Sequence, residues 1–247
     1  YGRIAMNDNL EQLLSNLKLT KIREIIEREL KRATKQEPSY EAFLARLLRF
    51  EFKHKQERAI ANRIKRARLP ETWTLETFPF KKQTSVKARA MRQLAELEFV
   101  AKAQNIVFIG EPGVGKSGLA TSLLLKACEN GYRGLFIKAQ NLFDDMFASL
   151  ADRSTRSLLN RLRNIDLIVI DEMGYLNLRP EQSNIFFKLM DERYGRKSTI
   201  ITTNLEYDDW YSFLGKKDMV KALLDRLRHH CHTVRITGDS LRDPEFE

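Results

Sequence analysis

Cysteine is scarce in this sequence, and long apolar runs are missing. Cys128 and Cys231 are the two cysteines among 247 residues, which excludes a small secreted scaffold held together by disulfides. No apolar run reaches the length of about 20 residues that a membrane-spanning helix requires, and no secretory signal is visible. We therefore expect a cytoplasmic protein that does not contact a membrane. The hydrophobic fraction of 43% is sufficient for a buried core.

Positive charge is distributed unevenly along the chain. Residues 1–69 contain 17 Lys and Arg against 9 Asp and Glu, which accounts for +8 of the net charge of +10. A nucleotide-binding pocket does not need such an excess, whereas a polyanionic partner would be attracted by it. The charge distribution therefore favours an interaction with nucleic acid through the first part of the chain.

Apolar residues recur at helical spacing through residues 6–69, and Leu69-Pro70 ends the pattern. Thr20 stands where the second of these helices would begin, and we expect its hydroxyl to cap that helix. Residues 6–69 are therefore predicted to form a small, all-helical N-terminal domain.

The end of this domain is strongly basic, with seven Lys and Arg and a single Glu in residues 53–68. Such a run is either a solvated helix face or a surface that contacts the phosphates of DNA. The uneven charge favours DNA, and because no base-reading motif is present, binding would be at most weakly sequence-specific. The predicted DNA-binding residues are Lys53, Lys55, Arg58, Arg63, Lys65, Arg66 and Arg68.

Residues 70–84 are predicted to form a linker that contains Trp73, Phe78 and Phe80. These aromatic rings either stack on the adenine of a nucleotide or pack onto the domain that follows, and the sequence leaves both possibilities open. We expect one helix over residues 85–102, which opens the second domain, residues 85–247.

Residues 110–117 match the phosphate-binding pattern G-x-x-x-x-G-K-[ST] without a mismatch. The apolar run 105–109 predicts a strand before this loop, and the apolar spacing over 118–129 predicts a helix after it. Glycines let backbone N–H groups surround an anion at a helix start, where the helix dipole adds positive charge. Lys116 is expected to reach the β- and γ-phosphates of ATP, and Ser117 to bind Mg²⁺. The predicted phosphate-binding residues are Gly110, Gly113, Val114, Gly115, Lys116, Ser117 and Gly118.

A second nucleotide-binding signal follows the apolar segment 165–170, which runs directly into Asp171 and Glu172. At the carboxyl end of a parallel strand, Asp171 can hold the hydration shell of Mg²⁺ beside Ser117, so both are predicted metal-binding residues. Glu172 points in a different direction and can polarise the water that attacks ATP. Asn204, at the end of another predicted strand, can sense the γ-phosphate or orient this water.

Five predicted strands alternate with helices after residue 104, which indicates an α/β fold with a five-stranded parallel sheet flanked by helices. Because the sequence ends soon after residue 242, we expect no large C-terminal lid. The expected architecture is a P-loop core preceded by a small helical domain.

These motifs together resemble the AAA+ ATPases of the helicase-loader (DnaC) clade. The resemblance rests on the phosphate loop, the acidic pair 171–172, the strand end 202–204 and the segment 224–227. Within the clade, the helical N-terminal domain with its Leu-Lys-Leu segment 17–19 and the linker segment 75–80 are similar to IstB, the helper ATPase that insertion sequences encode beside their transposase. The resemblance covers nearly the whole chain.

The resemblance implies an AAA+ core that uses ATP and Mg²⁺, with double-stranded DNA, a transposase and further copies of the chain as partners. It assigns Arg226 as an arginine finger that reaches the ATP of a neighbouring subunit, so that ATP lies between subunits and hydrolysis depends on assembly. Arg193 is the alternative finger. In place of a second sensor carried by a lid, Arg235 and Arg242 are weak substitutes. The expected catalytic residues are Lys116, Glu172, Asn204 and Arg226.

The leading hypothesis is a DNA-stimulated ATPase that oligomerises on duplex DNA and recruits or activates a transposase. A replicative helicase loader of the DnaC type is the alternative with the same fold, and it would bind a helicase and prefer single-stranded DNA. A small-molecule kinase is a third possibility. The Asp171-Glu172 pair favours activation of water over phosphate transfer to a metabolite.

Overall fold

The computed structural model describes residues 8–70, 73–174, 176–215 and 217–242. The chain divides into two compact units between Asn62 and Arg63, inside a helix. None of the helices in the described ranges is long and apolar enough to span a bilayer. The domain limits expected from the sequence, 6–69, 70–84 and 85–247, stay a prediction.

The first unit is helical. Its elements are α1 (Asp8–Asn16), α2 (Thr20–Gln36) and α3 (Tyr40–Ala67), the last of which continues into the second unit. The helices enclose a small apolar core of buried side chains, namely Leu14, Ile22, Ile25, Ile26 and Leu47. The three isoleucines of this core belong to α2, where Ile25 and Ile26 follow Ile22 by three and four positions, as the helical periodicity of the sequence predicts.

The start of α2 differs from the prediction. Thr20 is already the first residue of the helix, and no side chain beside it forms a cap. Instead, Glu51 of α3 accepts the backbone N–H groups of Lys21 at 2.7 Å and of Ile22 at 3.0 Å. The expectation that Thr20 caps this helix is therefore wrong, because a carboxylate from another helix satisfies the N–H groups that a helix start leaves unpaired.

The second unit is built on the predicted five-stranded parallel sheet, which is confirmed. The strands are β1 (Asn105–Gly110), β2 (Gly134–Lys138), β3 (Leu167–Met173), β4 (Ser198–Thr203) and β5 (Cys231–Ile236). Their order across the sheet is β2-β3-β4-β1-β5, with every pair parallel. In this order β1 and β3, whose ends carry the phosphate loop and the acidic pair, lie on either side of β4.

Helices cover both faces of the sheet. They are α4 (Ala88–Leu94), α5 (Glu98–Ala101), α6 (Lys116–Glu129), α7 (Ala139–Ala151), α8 (Thr155–Arg163), α9 (Pro180–Arg193), α10 (Trp210–Leu214) and α11 (Lys217–His229). Alternate residues of β1 belong to two separate apolar cores, since side chains of a strand alternate between its faces. Trp210 is fully buried in one of these cores.

The prediction of a single helix over residues 85–102 is wrong. Two short helices, α4 and α5, are separated at Leu97, which has a left-handed backbone with φ of 63°. Leu97 is buried in the same core as Met91 and Phe99. Packing of all three side chains into one core therefore outweighs the continuous helical pattern of the sequence.

Asp166 joins the starts of three neighbouring strands at the amino edge of the sheet. It precedes β3, and it binds Arg133, which precedes β2, and Lys197, which precedes β4. Burial alone would raise the pKa of Asp166, but hydrogen bonds from Arg133 and Lys197 hold this pKa at about 2. The ionised carboxylate therefore stabilises the fold.

Replacing Asp166 by Asn is expected to lower the free energy of unfolding at pH 7 by about 2 kcal/mol. Because the folded-state pKa of Asp166 lies below its ordinary value of 3.8, this stabilisation is complete above about pH 4 and declines as the pH falls toward 2. Urea unfolding should show a difference from the parent chain that is about half as large at pH 3 as at pH 7.

Asp208→Asn provides the matched control, since Asp208 is an exposed carboxylate. Equal losses of stability in the two variants at pH 7 would contradict the assignment.

Candidate nucleotide-binding site

The phosphate loop connects β1 to α6 through two glycines with left-handed backbones. The φ angles are 86° at Gly113 and 97° at Gly115, a region that side chains with a Cβ rarely occupy. Space is also limiting, because a Cβ at Gly113 would lie 2.1 Å from Ser240 Oγ and one at Gly110 would lie 2.2 Å from Ile236 O. Gly113 and Gly115 are thus required by both conformation and packing, and Gly110 is required by packing.

Lys116 is the first residue of α6, and its side chain lies over the loop. Its Nζ donates to the carbonyls of Gly110 and Glu111, each at 2.7 Å. Burial lowers the pKa of the Lys116 ammonium, whereas the nearby carboxylate of Asp171 raises it. A partly desolvated cation at this place is suited to bind phosphate oxygens.

Asp171, in β3, is a buried carboxylate with 3% of its surface exposed. Its Oδ1 accepts hydrogen bonds from Ser117 Oγ at 2.7 Å and from Thr202 Oγ1 at 2.5 Å. Within the described ranges, no cationic side chain forms an ion pair with it. The two predicted metal-binding residues, Ser117 and Asp171, thus lie in contact. A buried carboxylate beside hydroxyl oxygens fits a hard divalent cation such as Mg²⁺.

Glu172 lies at an irregularity of the sheet, where the pairing of β3 with β4 shifts between Ile170 and Met173. Its backbone is left-handed with φ of 61°, and its N–H donates to Thr202 Oγ1 at 3.0 Å. The half-exposed carboxylate forms an ion pair with Lys138 Nζ at 3.0 Å. The two carboxylates thus differ in burial, since Asp171 is buried and Glu172 is about half exposed, and the different roles expected of them stay a prediction.

One cavity of about 780 Å³ gathers most of the predicted residues. The predicted residues that line it are Gly113, Gly115, Lys116, Ser117, Gly118, Asp171 and Glu172. The lining also includes residues that were not predicted as site residues, among them Lys138, Gln140 and Thr202. The cavity thus lies at the carboxyl edge of the sheet, where ligands of open α/β folds bind.

Gly110 and Val114 lie behind the lining. Gly110 packs on the backbone of Ile236, and Val114 is buried in an apolar core. Asn204 follows β4 but is not among the described residues that line the cavity. Its Oδ1 is buried and has no hydrogen-bond partner in the described part of the chain. The role of Asn204 stays a prediction.

Arg226 lies on α11, outside the nucleotide cavity. It forms an ion pair with Asp191 at 2.5 Å and lines a second cavity, of about 360 Å³, between α9 and α11. Its side chain is 46% exposed. Arg226 is thus exposed and lies outside the nucleotide cavity of its own chain, and its assignment as an arginine finger stays a prediction.

The assignment of Arg193 as the alternative arginine finger is wrong. It is 1% exposed, and its guanidinium donates to the carbonyls of Leu162, Ile165 and Ser198 and to Thr199 Oγ1. Burial lowers the pKa of Arg193 to about 9. With these internal partners, the side chain joins α8 to β4 and cannot reach a neighbouring subunit.

Arg235 and Arg242, the two substitutes for a second sensor, differ in whether they line the nucleotide cavity. Arg235 forms a two-pronged ion pair with Glu206 at 3.0 and 3.1 Å, away from the nucleotide cavity. Arg242 lines that cavity. Of the two weak substitutes for a second sensor, the structure thus brings Arg242 to the candidate site.

The aromatic residues of the linker separate into two groups. Phe78 is 4% exposed and packs against Phe80, with ring centroids 4.8 Å apart. Trp73 lines the nucleotide cavity, and a Cβ at Gly118 would lie 3.3 Å from its ring. Packing therefore explains Phe78, whereas Trp73 both packs beside Gly118 and lines the cavity.

The predicted DNA-binding residues are mostly exposed. Lys53, Lys55 and Arg58 are exposed in the first unit, and Lys65, Arg66 and Arg68 are exposed in the second. Arg63 is half-buried, and its Nε donates to the carbonyl of Cys128 at 2.8 Å. Exposure of these side chains does not test whether they contact DNA, so their assignment as DNA-binding residues stays a prediction.

Thr202 and Lys138 were missed as site residues. Thr202 bonds both members of the acidic pair, and Lys138 forms the ion pair with Glu172. Both lie at the carboxyl ends of strands that neighbour β3. Because ligands of open α/β sheets bind at this edge, the position of both residues at a strand end could have identified them.

The parallel sheet, the phosphate loop and the acidic pair define a P-loop nucleotide-binding protein of the AAA+ type. The sequence matches the family described as IstB-like ATP binding protein over residues 12–245, and the chain belongs to this family. The resemblance inferred from the motifs is therefore confirmed.

Relatives agree with this family, and solved structures agree with the fold. The chain is 36% identical to an ATP-binding protein of insertion sequence IS21 from Pseudomonas aeruginosa, over 94% of this chain and 88% of that protein. It is also 36% identical to one of insertion sequence IS5376 from Geobacillus stearothermophilus, over 83% and 81%. The fold is similar to a DnaC helicase loader, with a TM-score of 0.56, 23% identity and coverage of 66% and 96%. It is also similar to DnaA from Aquifex aeolicus, with a TM-score of 0.58, 20% identity and coverage of 70% and 52%.

Replacing Thr202 by Val is expected to reduce kcat for ATP hydrolysis about 10- to 100-fold. The substitution keeps the shape but removes a donor to an ionised carboxylate and the acceptor of the Glu172 N–H, a loss of about 1.5–3 kcal/mol. Steady-state hydrolysis with saturating Mg²⁺ and ATP measures the effect. Thr34→Val is the matched control, since the Thr34 hydroxyl donates to the carbonyl of Leu30 within α2 and Thr34 is not among the described residues that line the cavity, and its variant should retain activity within about threefold of the parent. Similar rates for the two variants would contradict the role of Thr202.

Proposed function

We propose that this chain is a DNA-stimulated ATPase that oligomerises on duplex DNA and recruits or activates a transposase. The observation that carries the proposal is the contact between Ser117 and the buried Asp171 beside the phosphate loop. The names of the relatives, which refer to ATP binding and to insertion sequences, support the substrate and the context. Duplex DNA and a transposase as partners rest on the resemblance to IstB.

Hydrolysis would begin with the phosphates of ATP in the loop. Lys116 would exchange the carbonyls of Gly110 and Glu111, which it now contacts, for phosphate oxygens. Ser117 and Asp171 would hold Mg²⁺, which supplies neutralisation of phosphate charge when bound. Glu172 would then accept a proton from the attacking water.

The ion pair of Glu172 with Lys138 does not prevent this step. Both side chains are about half exposed, 46% and 52% respectively. An ion pair between exposed groups contributes about 0–1 kcal/mol, so the carboxylate can turn toward a bound water at little cost. Arg226 of a neighbouring copy would stabilise the charge that develops on the phosphates, which makes hydrolysis depend on assembly.

Duplex DNA is expected to raise the ATPase rate and the particle mass of the parent chain together. The same chain with Lys53, Lys55 and Arg58 changed to Gln should bind DNA with a weaker salt dependence. The slope of log K against log salt should fall by about 0.9 for each DNA phosphate that the variant no longer neutralises. ATPase rates with no DNA, single-stranded DNA and duplex DNA, recorded with mass photometry, measure the stimulation, and DNA titrations at several salt concentrations measure the slope.

The matched control changes Lys31, Arg32 and Lys35 of α2 to Gln, which removes the same charge from other positions of the first unit. Equal salt slopes for the two triple variants would contradict the DNA assignment. Stimulation by single strands alone would instead indicate a helicase loader.

Mixing two inactive variants tests whether Arg226 acts on a neighbouring copy. Arg226→Ala keeps an intact nucleotide site, and Lys116→Ala keeps an intact finger. Arg226→Ala is expected to lose at least about 10³-fold in rate, since an arginine finger contributes about that much. Lys116→Ala is expected to lose at least as much, because it removes the ammonium group that binds the phosphates. Their mixture on duplex DNA should recover ATPase activity, because some neighbouring pairs combine a working site with a working finger. Failure of the mixture, while each variant still assembles, would exclude Arg226 as the finger.

A further inference from the structure

Two carbonyl groups on the outer side of the phosphate loop accept hydrogen bonds from segments remote in sequence. Gln83 Nε2, from the segment before α4, donates to Val114 O at 3.1 Å. The backbone N–H of Leu241, from the segment after β5, donates to Gly113 O at 2.9 Å. We propose that Gln83 is a positioning residue of the nucleotide site, which fixes the direction of a phosphate-binding N–H group. This inference rests on the proposed binding of ATP by the loop.

The planarity of the peptide group transmits the effect of these bonds. In a trans peptide unit, the C=O and N–H bonds point in opposite directions. The unit that contains Val114 O also contains the N–H of Gly115, and the unit that contains Gly113 O also contains the N–H of Val114. A donor that holds each carbonyl on the outer side therefore directs the paired N–H to the inner side, where Gly113, Gly115 and Lys116 line the cavity. Convergent N–H groups form the anion-binding concavity of a phosphate loop.

The amide of Gln83 is held at both of its ends. The side chain is 2% exposed, and its Oε1 accepts the hydroxyl of Ser85 at 2.8 Å. The same hydroxyl oxygen accepts the N–H of Thr237 at 3.2 Å. Because a carbonyl oxygen can only accept, Val114 O requires the nitrogen of the amide, and Ser85 satisfies the oxygen. The amide therefore has one orientation that satisfies both partners.

Packing alone does not explain this arrangement. A Cβ at Gly115 would lie 2.7 Å from the Phe78 ring, and one at Gly113 would lie 2.1 Å from Ser240 Oγ. These neighbours fix where the backbone of the loop runs, but a non-directional contact does not set the rotation of a peptide plane. The hydrogen bond from Gln83 is directional, since such bonds weaken steeply away from linearity.

Gln83→Glu tests the inference in the full chain. The substitution keeps the size of the side chain, but an ionised carboxylate has no hydrogen for Val114 O. Isothermal titration calorimetry with Mg²⁺ is expected to show about 10-fold weaker binding of ATP, ADP and inorganic tripolyphosphate alike, because the misdirected N–H serves the phosphates and not the base.

The pH dependence separates positioning from a general loss of structure. A protonated carboxyl group regains an O–H donor, so the affinity ratio of parent to variant should fall toward 1 as the pH decreases from 9 to 5. A variant damaged in packing would keep a constant ratio, which would overturn the inference.

The matched control is Gln93→Glu, the same change at an exposed position of α4, which should bind all three ligands within about twofold of the parent. Equal affinities for Gln83→Glu and Gln93→Glu would overturn the inference. So would a loss of discrimination between ATP and GTP with unchanged tripolyphosphate binding, since Gln83 would then contact the base.

Two further outcomes keep the test decisive. Ser85→Ala is measured beside Gln83→Glu, because it removes the hydroxyl that orients the amide without placing a negative charge near the phosphates, and it also serves if Gln83→Glu does not fold. A loss of about threefold for all three ligands then supports the inference, and no loss overturns it. If the parent chain binds none of the ligands while remaining folded, the proposed ATPase function fails, and that result is separate from any difference between the variants.

Discussion

The carboxylate of Asp171 joins three segments of the second unit at one point. Its backbone belongs to β3, and its Oδ1 accepts hydrogen bonds from Ser117 at the start of α6 and from Thr202 in β4. Burying a carboxylate is costly unless it is paired and hydrogen-bonded, and both hydroxyl donors reach the same oxygen, Oδ1, without neutralising the charge of the carboxylate. One carboxylate thus links the start of α6 to β3 and β4 at the carboxyl edge of the sheet.

The two ends of β3 use the same side chain for opposite purposes. Asp166 at the amino end is neutralised by Arg133 and Lys197, and it stabilises the meeting point of three strands. Asp171 at the carboxyl end, 3% exposed, is hydrogen-bonded by hydroxyl groups. Four residues of buried apolar strand separate them. A saturated ion pair contributes to stability, whereas a carboxylate without a cationic partner can accept a ligand.

The sequence was sufficient to predict the sheet, the phosphate loop and the acidic pair, because each depends on a local pattern. The apolar run of β1 and the glycines that follow it are read within a dozen residues. The cap of α2 could not be predicted in this way, since Glu51 lies about 30 residues from the N–H groups that it accepts. The burial of Arg193 and the break at Leu97 likewise depend on which side chains meet in the folded core.

In the candidate site, too, some residues belong to local sequence motifs and others are recognised only from their contacts in the fold. Lys116, Ser117 and Asp171 stand in recognisable motifs, and the structure brings them to one cavity. Thr202 bonds Asp171 and the N–H of Glu172 from the neighbouring strand, and Gln83 bonds the carbonyl of Val114 from a segment remote in sequence. A threonine in a strand and a glutamine in a linker are ordinary residues, and their importance arises only from the groups that they meet.

The two tryptophans give the chain a built-in optical reporter. Trp73 lines the nucleotide cavity, whereas Trp210 is fully buried in an apolar core of the same unit. An indole at a ligand site changes its emission when a ligand excludes water or stacks on it, while an enclosed indole responds only when the fold opens. Emission excited in the indole band therefore contains two separable signals, one from events at the site and one from the integrity of the core.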